Sequence, residues 1–162
     1  MKIFKCLFFL HDNQIIIMFA DYNYQYFPCV IVTFQENITN EQDFEQFLLV
    51  WLQLYERQQD FYFIFDTTKM GFVNPKYCLM MSSFIKNLRQ RPYQYLQKSY
   101  IIVGSQLIEK LLDMIFYLQP PVAPVYITKQ GLPTVLQFIK NTSQMIEFTR
   151  VIYPKKPLLP FL

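Results

Sequence analysis

The side chains best suited to bind a partner follow apolar, β-forming runs at the points where helices are predicted to begin. Asp66 ends one such run and is followed by Thr67 and Thr68, and Gly104 and Ser105 follow the next run. Carboxylates and hydroxyls at the carboxyl ends of neighbouring parallel strands face the loops in which open α/β sheets hold ligands. Asp66 is therefore the foremost functional candidate. The alternative is a structural role, in which Asp66 accepts hydrogen bonds from the amides of its own loop.

Asn74 and Lys76 complete this group at the start of the helix that follows Asp66. Asn74 precedes Pro75, and the two form a good N-cap and first-turn pair because proline has no amide hydrogen to lose there. We expect hydrogen bonding to a protein partner rather than catalysis at this edge. The predicted edge site comprises Asp66, Thr67, Thr68, Asn74, Lys76, Gly104 and Ser105.

Patterns typical of enzymes and metal sites are missing from the sequence. His11 is the only histidine, and it lies in a predicted turn without a Cys, Ser or second His at informative spacing. The three glycines match neither the Gly-x-x-x-x-Gly-Lys-[Ser/Thr] loop nor the Gly-x-Gly-x-x-Gly loop, which excludes nucleotide binding by those routes. The three cysteines, Cys6, Cys29 and Cys78, show no CxxC spacing, which predicts neither a zinc site nor a disulfide framework. We expect a protein that is not an enzyme, needs no cofactor and works in the reducing cytoplasm.

The three glycines also predict the fold. Gly71, Gly104 and Gly131 each follow a β-rich run and precede a helix-like stretch, so the second half of the chain repeats strand, loop and helix three times. Glycine is favoured where the backbone takes a positive φ or approaches another group closely. Three glycines at equivalent turns therefore predict one shared edge of a parallel sheet.

We predict one α/β domain over residues 1–150 and a Pro-rich tail over residues 151–162. Two opening strands, 3–10 and 14–20, are expected to pair antiparallel as an N-terminal hairpin over residues 1–20, and residues 21–27 are either a strand continuation or a loop. The remaining order is strand 29–34 followed by α, β, α, β, α, β and α. Right-handed crossovers should lay the helices on a single mixed sheet.

Helix boundaries follow from caps and apolar periodicity. Thr39 and Gln42 match a capping box, which predicts a first helix ending near Gln58. Ser105 is the expected cap of the third helix, and the last helix should begin near Leu132. The residues predicted to face inward on the third and last helices are Leu107, Ile108, Leu111, Leu112, Ile115, Val135, Leu136 and Ile139.

The composition and charge of the chain limit the classes of partner that we expect it to bind. Hydrophobic residues make up 52% of the 162 residues and aromatic residues 19%, which argues against disorder, and no apolar run reaches the ~20 residues of a membrane span. The net charge of +3 is too small to indicate nucleic-acid binding. Seven acids and one base fall within residues 36–66, and six bases without an acid within residues 69–98. This asymmetry indicates either two solvated helix faces or a surface for an acidic protein or an anionic membrane.

The element order resembles that of the STAS domain family of anti-sigma-factor antagonists over residues 28–140. Phe63-Ile-Phe-Asp66 and residues 70–77 occupy the places of the family's Asp-ending strand and its Asp-Ser-Ser-Gly-like helix start. The resemblance implies a protein-interaction module. Asn74 stands at the family's Asp, with Pro75 and Lys76 at its serines, so the family's phosphoserine switch is expected to be absent.

A second resemblance is to the lipid-binding lobe of CRAL-TRIO proteins. It is carried by residues 91–103 and by the apolar helix from Leu107 to Leu118. This resemblance implies a small lipid-binding or lipid-transfer protein with an internal cavity lined by Phe, Met and Ile. The family's helical N-terminal lobe has no counterpart in the sequence. We therefore predict an STAS-like interaction module, with a CRAL-TRIO-like lipid carrier as the alternative.

Overall fold

The computed structural model describes residues 18–141 and 143–155. The predicted strand 3–10, all but the end of the strand 14–20, His11 and Cys6 lie outside these described residues. The elements are β1 (Ala20–Tyr26), β2 (Cys29–Phe34), α1 (Glu41–Glu56), β3 (Phe61–Asp66), α2 (Pro75–Arg89), β4 (Leu96–Ile102), α3 (Gln106–Leu118), β5 (Val125–Thr128), α4 (Leu132–Lys140) and β6 (Arg150–Ile152).

The strands form one six-stranded sheet in the order β1-β2-β3-β4-β5-β6. Strands β2 to β5 are parallel, while β1 pairs antiparallel with β2 and β6 pairs antiparallel with β5. The predicted α/β fold with a mixed sheet is confirmed. Residues 21–26 are strand rather than loop, and they belong to β1, which begins at Ala20. Met18 and Phe19, at the end of the predicted strand 14–20, lie outside any strand, so that part of the prediction is wrong. Strand β6 was not predicted, and its last two residues fall in the segment assigned to the Pro-rich tail.

Three helices cover one face of the sheet and one helix covers the other. Inward residues of α1, α2 and α3 pack with Val30, Phe63 and Ile101 in one large core cluster. Val135 of α4 packs with Ile31, Ile64, Tyr100 and other residues on the opposite face. The parallel strands β2 to β5 are therefore largely buried on both faces, as expected for parallel sheets. No helix in the described residues is both long and apolar enough to cross a membrane.

Side-chain caps begin three of the four helices. Asn74 caps α2 by accepting from the Lys76 amide at 3.0 Å, and Ser105 caps α3 by accepting from the Ile108 amide at 3.4 Å. Both caps were predicted. The predicted Thr39 cap of α1 is wrong, because Asn40 accepts from the Asp43 amide at 2.9 Å. Thr39 instead donates its hydroxyl to the Asp43 carboxylate.

Helix α3 buries less of its apolar surface than its sequence predicts. Ile108 and Ile115 are buried, and Leu111 and Leu112 are half-buried. Leu107 is 46% exposed, so its predicted inward position is wrong. It lies in the first turn, one residue ahead of Ile108, and only one side of that turn can face the core. On α4, Val135 is buried while Leu136 and Ile139 are half-buried.

Gly104 is required for close approach rather than for a positive φ. None of the three glycines has a positive φ. A Cβ at Gly104 would lie 2.9 Å from the carbonyl oxygen of Thr68 and 3.0 Å from its Cα, whereas a Cβ at Gly71 would meet no atom closer than 3.5 Å. The loops after β3 and β4 therefore touch through their backbones at Gly104.

We expect Gly104→Ala to lower the free energy of unfolding by about 1–3 kcal/mol, because the methyl group forces two backbones apart. Gly71→Ala is the matched control. It should change the free energy of unfolding by less than ~1 kcal/mol, since its Cβ fits at ordinary contact distance. Urea denaturation measures both variants, and equal losses would contradict the assigned role of Gly104.

Candidate functional site

The structure brings the predicted edge site together at the carboxyl ends of β3 and β4. Asp66 pairs in register with Ile102 on the neighbouring strand, so the loops that follow these residues lie side by side. Thr68, Asn74, Lys76, Gly104 and Ser105 are exposed, Asp66 is half-buried and Thr67 is buried. The loops that follow β3 and β4 therefore lie at one edge of the sheet, and binding of a partner by these residues stays a prediction.

Most polar groups of the edge site already have partners within the chain. Oδ1 of Asp66 accepts from the Thr68 amide at 3.1 Å and from the Thr68 hydroxyl at 2.7 Å. Thr67 donates its amide and its hydroxyl to the carbonyl oxygen of Ile102, at 3.1 and 2.7 Å. The local structural role weighed for Asp66 is therefore the one its contacts support.

Lys76 is also occupied, although it lies on the surface. Its ammonium donates to the Glu41 carboxylate at 3.2 Å, which joins the basic helix α2 to the acidic helix α1. This hydrogen bond raises the pKa of Lys76 above its usual value. Arg91 and Glu56 form a second pair, at 3.5 Å, between the basic and acidic segments. Some of the opposite charges of the two segments therefore form ion pairs with each other within the fold.

Two exposed apolar side chains adjoin the edge site. Phe72, in the loop between β3 and α2, is 71% exposed, and Leu107 follows the Ser105 cap. Sequence reasoning missed Phe72 and assigned Leu107 to the core. Neither had a distinguishing signal, because 17 phenylalanines are spread through the chain and most apolar residues of α3 fit a buried stripe.

A second candidate site is a cavity of about 130 Å³ between the sheet and helices α1, α2 and α3. Its lining is almost entirely apolar and comes from both ends of the parallel strands as well as from the three helices. No charged residue is among the described residues that line it. The lining residues are Phe19, Phe34, Ile38, Phe44, Phe47, Trp51, Phe65, Thr67, Met70, Val73, Tyr77, Met81, Ile85, Leu96, Ser99, Ile101, Ile108, Leu111, Leu112, Ile115, Phe116, Pro121, Val122, Ala123 and Val125.

Few polar groups reach this cavity. The Thr67 hydroxyl is engaged with Ile102, while Ser99 is buried in the middle of the lining. The indole nitrogen of Trp51 is the one fully covered side-chain nitrogen or oxygen of the described chain that lacks a hydrogen-bond partner. One turn further along α1, burial raises the pKa of Tyr55 to about 12, and its hydroxyl donates to Gln94 at 3.1 Å. The lining itself therefore suits a mostly apolar molecule.

A smaller set of residues lines a hollow of about 220 Å³ on the opposite face of the sheet. It includes Cys29, Tyr62 and Lys140. Burial raises the pKa of Cys29 to about 11, so its thiol stays protonated at neutral pH and is a poor nucleophile. The Lys140 ammonium lies 4.9 Å from the centre of the Tyr26 ring. This hollow therefore offers packing rather than reactive groups.

Metal ligation has no basis in the described residues, since no group of three or more His, Cys, Asp or Glu side chains comes together there. Cys29 and Cys78 are buried and free. Comparison with known protein families and with curated proteins found no match. The edge site and the apolar cavity are therefore the two candidate functional sites.

We expect the free energy of unfolding to fall as the pH rises from about 9 to about 12. The folded chain holds the protons of Cys29 up to about pH 11 and of Tyr55 up to about pH 12, whereas the unfolded chain releases them near pH 9 and 10. Stability is thus fully present below these unfolded values and is lost above them. Urea denaturation at a series of pH values measures the slope.

Tyr55→Phe should flatten this slope between pH 10 and 12, because the buried phenol no longer opposes ionisation. Tyr117→Phe is the control, since Tyr117 is 88% exposed. The assignment is wrong if Tyr55→Phe keeps the wild-type slope.

Proposed function

We propose that this protein binds a small apolar molecule, or the end of an apolar chain, in the cavity between its sheet and helices α1, α2 and α3. The observation that carries the proposal is an uncharged, nearly continuous apolar lining around about 130 Å³ of space. Interiors of folded proteins are packed with few voids larger than a water molecule, so a cavity of this size calls for an explanation. Binding without catalysis fits the described residues that surround it.

The size of the cavity limits what it can hold. An engineered apolar cavity of about 150 Å³ stays dry and binds benzene. A cavity of about 130 Å³ therefore suits one ring or a short stretch of alkyl chain. Drug-sized ligands usually occupy about 300–1,000 Å³, so a larger ligand needs the walls to move. Met70 and Met81 provide such flexibility, because the methionine side chain is unbranched and adapts readily to its neighbours.

Helix α3 is the wall best suited to move. Only Ile108 and Ile115 of this helix are buried, while Leu107, Met114, Tyr117 and Leu118 are exposed. A helix held by few buried side chains costs less free energy to displace than α1, which buries five. This arrangement supports the lipid-binding alternative suggested by the resemblance to the CRAL-TRIO lobe.

The proposal predicts that toluene binds the purified protein and raises its melting temperature. A ligand at 100 times its Kd should stabilise the folded state by about 2.7 kcal/mol. Native mass spectrometry of the protein from its own cells should also detect a bound apolar molecule at one copy per chain. Calorimetric titration measures the affinity for toluene.

Ala123→Leu should abolish toluene binding while keeping or raising stability, because three added carbon atoms fill the cavity. Leu49→Phe is the matched control, since Leu49 is 48% exposed and does not line the cavity. Equal toluene affinity in wild type and Ala123→Leu would place the binding elsewhere and contradict the proposal.

A second candidate function is binding of a protein partner at the edge site, as an STAS-like interaction module. The exposed Phe72 favours it, because a large aromatic side chain beside exposed polar groups is typical of protein interfaces. This candidate needs no cavity. An acidic partner would compete with Glu41 for Lys76.

Pull-down from the native host tests this candidate with a double variant, Asn74→Asp with Lys76→Glu. Asp can replace Asn as the helix cap, so the fold should survive while the surface charge is reversed. Lys86→Glu, on the same helix, is the control. A partner retained by the double variant would show that the edge site is wrongly placed, whereas one lost only by that variant would support it.

A further inference from the structure

Ser99 is the one buried serine or threonine of the described chain whose hydroxyl has no hydrogen bond. Thr67, Ser82 and Thr128 are also buried, and each donates to a backbone carbonyl oxygen at 2.7–2.8 Å. The Ser99 side chain has no partner although the residue is only 4% exposed, and its oxygen is not fully covered by protein atoms. An unpaired hydroxyl in an apolar interior is unfavourable unless something else pairs with it.

The position of Ser99 directs this hydroxyl to the cavity. Ser99 lies in β4, in register with Phe63 of β3 and Val125 of β5, near the middle of the sheet. Its amide is used, because it donates to the carbonyl oxygen of Pro124 at 2.9 Å. The side chain lines the cavity together with Ile101 of the same strand. The unpaired group therefore borders the space that the ligand would fill.

The chemistry of the lining restricts what can pair with Ser99. A carboxylate or phosphate would be costly to bury there, because no charged group is among the described lining residues. A pure hydrocarbon would leave the hydroxyl unpaired. Trp51 also lines the cavity, but its indole nitrogen is fully covered by protein atoms and does not reach a ligand there. An uncharged oxygen in an otherwise apolar molecule avoids both problems, because it can accept a hydrogen bond from the Ser99 hydroxyl.

We propose that Ser99 donates a hydrogen bond to the carbonyl, ether or hydroxyl oxygen of an uncharged, otherwise apolar ligand. This proposal rests on the proposed function, since it names the ligand class for the same cavity. Ser99 sets which ligand is preferred, while the apolar lining supplies most of the affinity. The expected ligands are ketones, esters, quinones and alcohols of mainly hydrocarbon composition.

Acetophenone and α-methylstyrene test the proposal, because they differ only in a carbonyl oxygen replaced by a CH₂ group. Calorimetric titration gives the Kd of each for wild type, Ser99→Ala and Ser99→Thr. Ser99→Ala should weaken acetophenone binding roughly tenfold relative to α-methylstyrene, as expected for loss of one hydrogen bond. Ser99→Thr keeps the hydroxyl and should restore the preference. Ser99→Ala should fold normally, since it removes an unpaired group.

The outcomes separate this proposal from the proposed function. Binding of both probes with the same Kd ratio in wild type and Ser99→Ala would overturn the role of Ser99 and leave the cavity proposal standing. Failure of both probes to bind wild type would overturn both proposals. An infrared spectrum of acetophenone bound to wild type needs no variant. Its carbonyl stretch should lie at lower frequency than in a hydrocarbon solvent, and an unshifted band would contradict the hydrogen bond.

Discussion

Four parallel strands joined in sequence order constrain every other part of this fold. Each step from β2 to β3, β4 and β5 moves one strand in the same direction, and right-handed crossovers then place every connecting helix on the same face. Helices α1, α2 and α3 therefore share one side of the sheet. Helix α4 is not a parallel crossover, since it leads to the antiparallel strand β6, and it covers the opposite face. The core on the face with three helices is therefore larger than the core on the face with one helix.

Aromatic rings from three elements meet around Trp51, which lines the cavity in the larger core. Trp51 lies 4.8 Å from Phe63, 5.5 Å from Phe65 and 5.2 Å from Phe84, measured between ring centroids, and these contacts are tilted or edge-on. Rings prefer such angles over parallel stacking, and they are rigid, so they cannot reshape themselves to fill the remaining gaps. Rigid rings of α1, β3 and α2 therefore set the packing around Trp51 at the wall of the cavity.

Local chemistry was predictable from the sequence, whereas features that depend on distant contacts were not. The caps at Asn74 and Ser105 followed from single polar residues before helical stripes. The predicted cap at Thr39 was wrong because Asn40, the next residue, is also a good N-cap. The sequence alone does not show which of the two side chains accepts from a helix amide. Strand β6 has three residues and is held by pairing with β5, so it carries little signal of its own. The cavity and the unpaired hydroxyl of Ser99 exist only through packing between elements far apart in the chain.

The edge site and the cavity are physically connected, and this affects how the two candidate functions are separated. Thr67 belongs to both, because it lies in the predicted edge site and also lines the cavity. Its hydrogen bonds to Ile102 join β3 to β4 at the point where the loop backbones touch at Gly104. A substitution of Thr67 would disturb both sites, so its effect could not be assigned to either one. Asn74 and Lys76 belong to the edge alone, and Ala123 and Ser99 to the cavity alone, so variants at those positions can assign function to one site or the other.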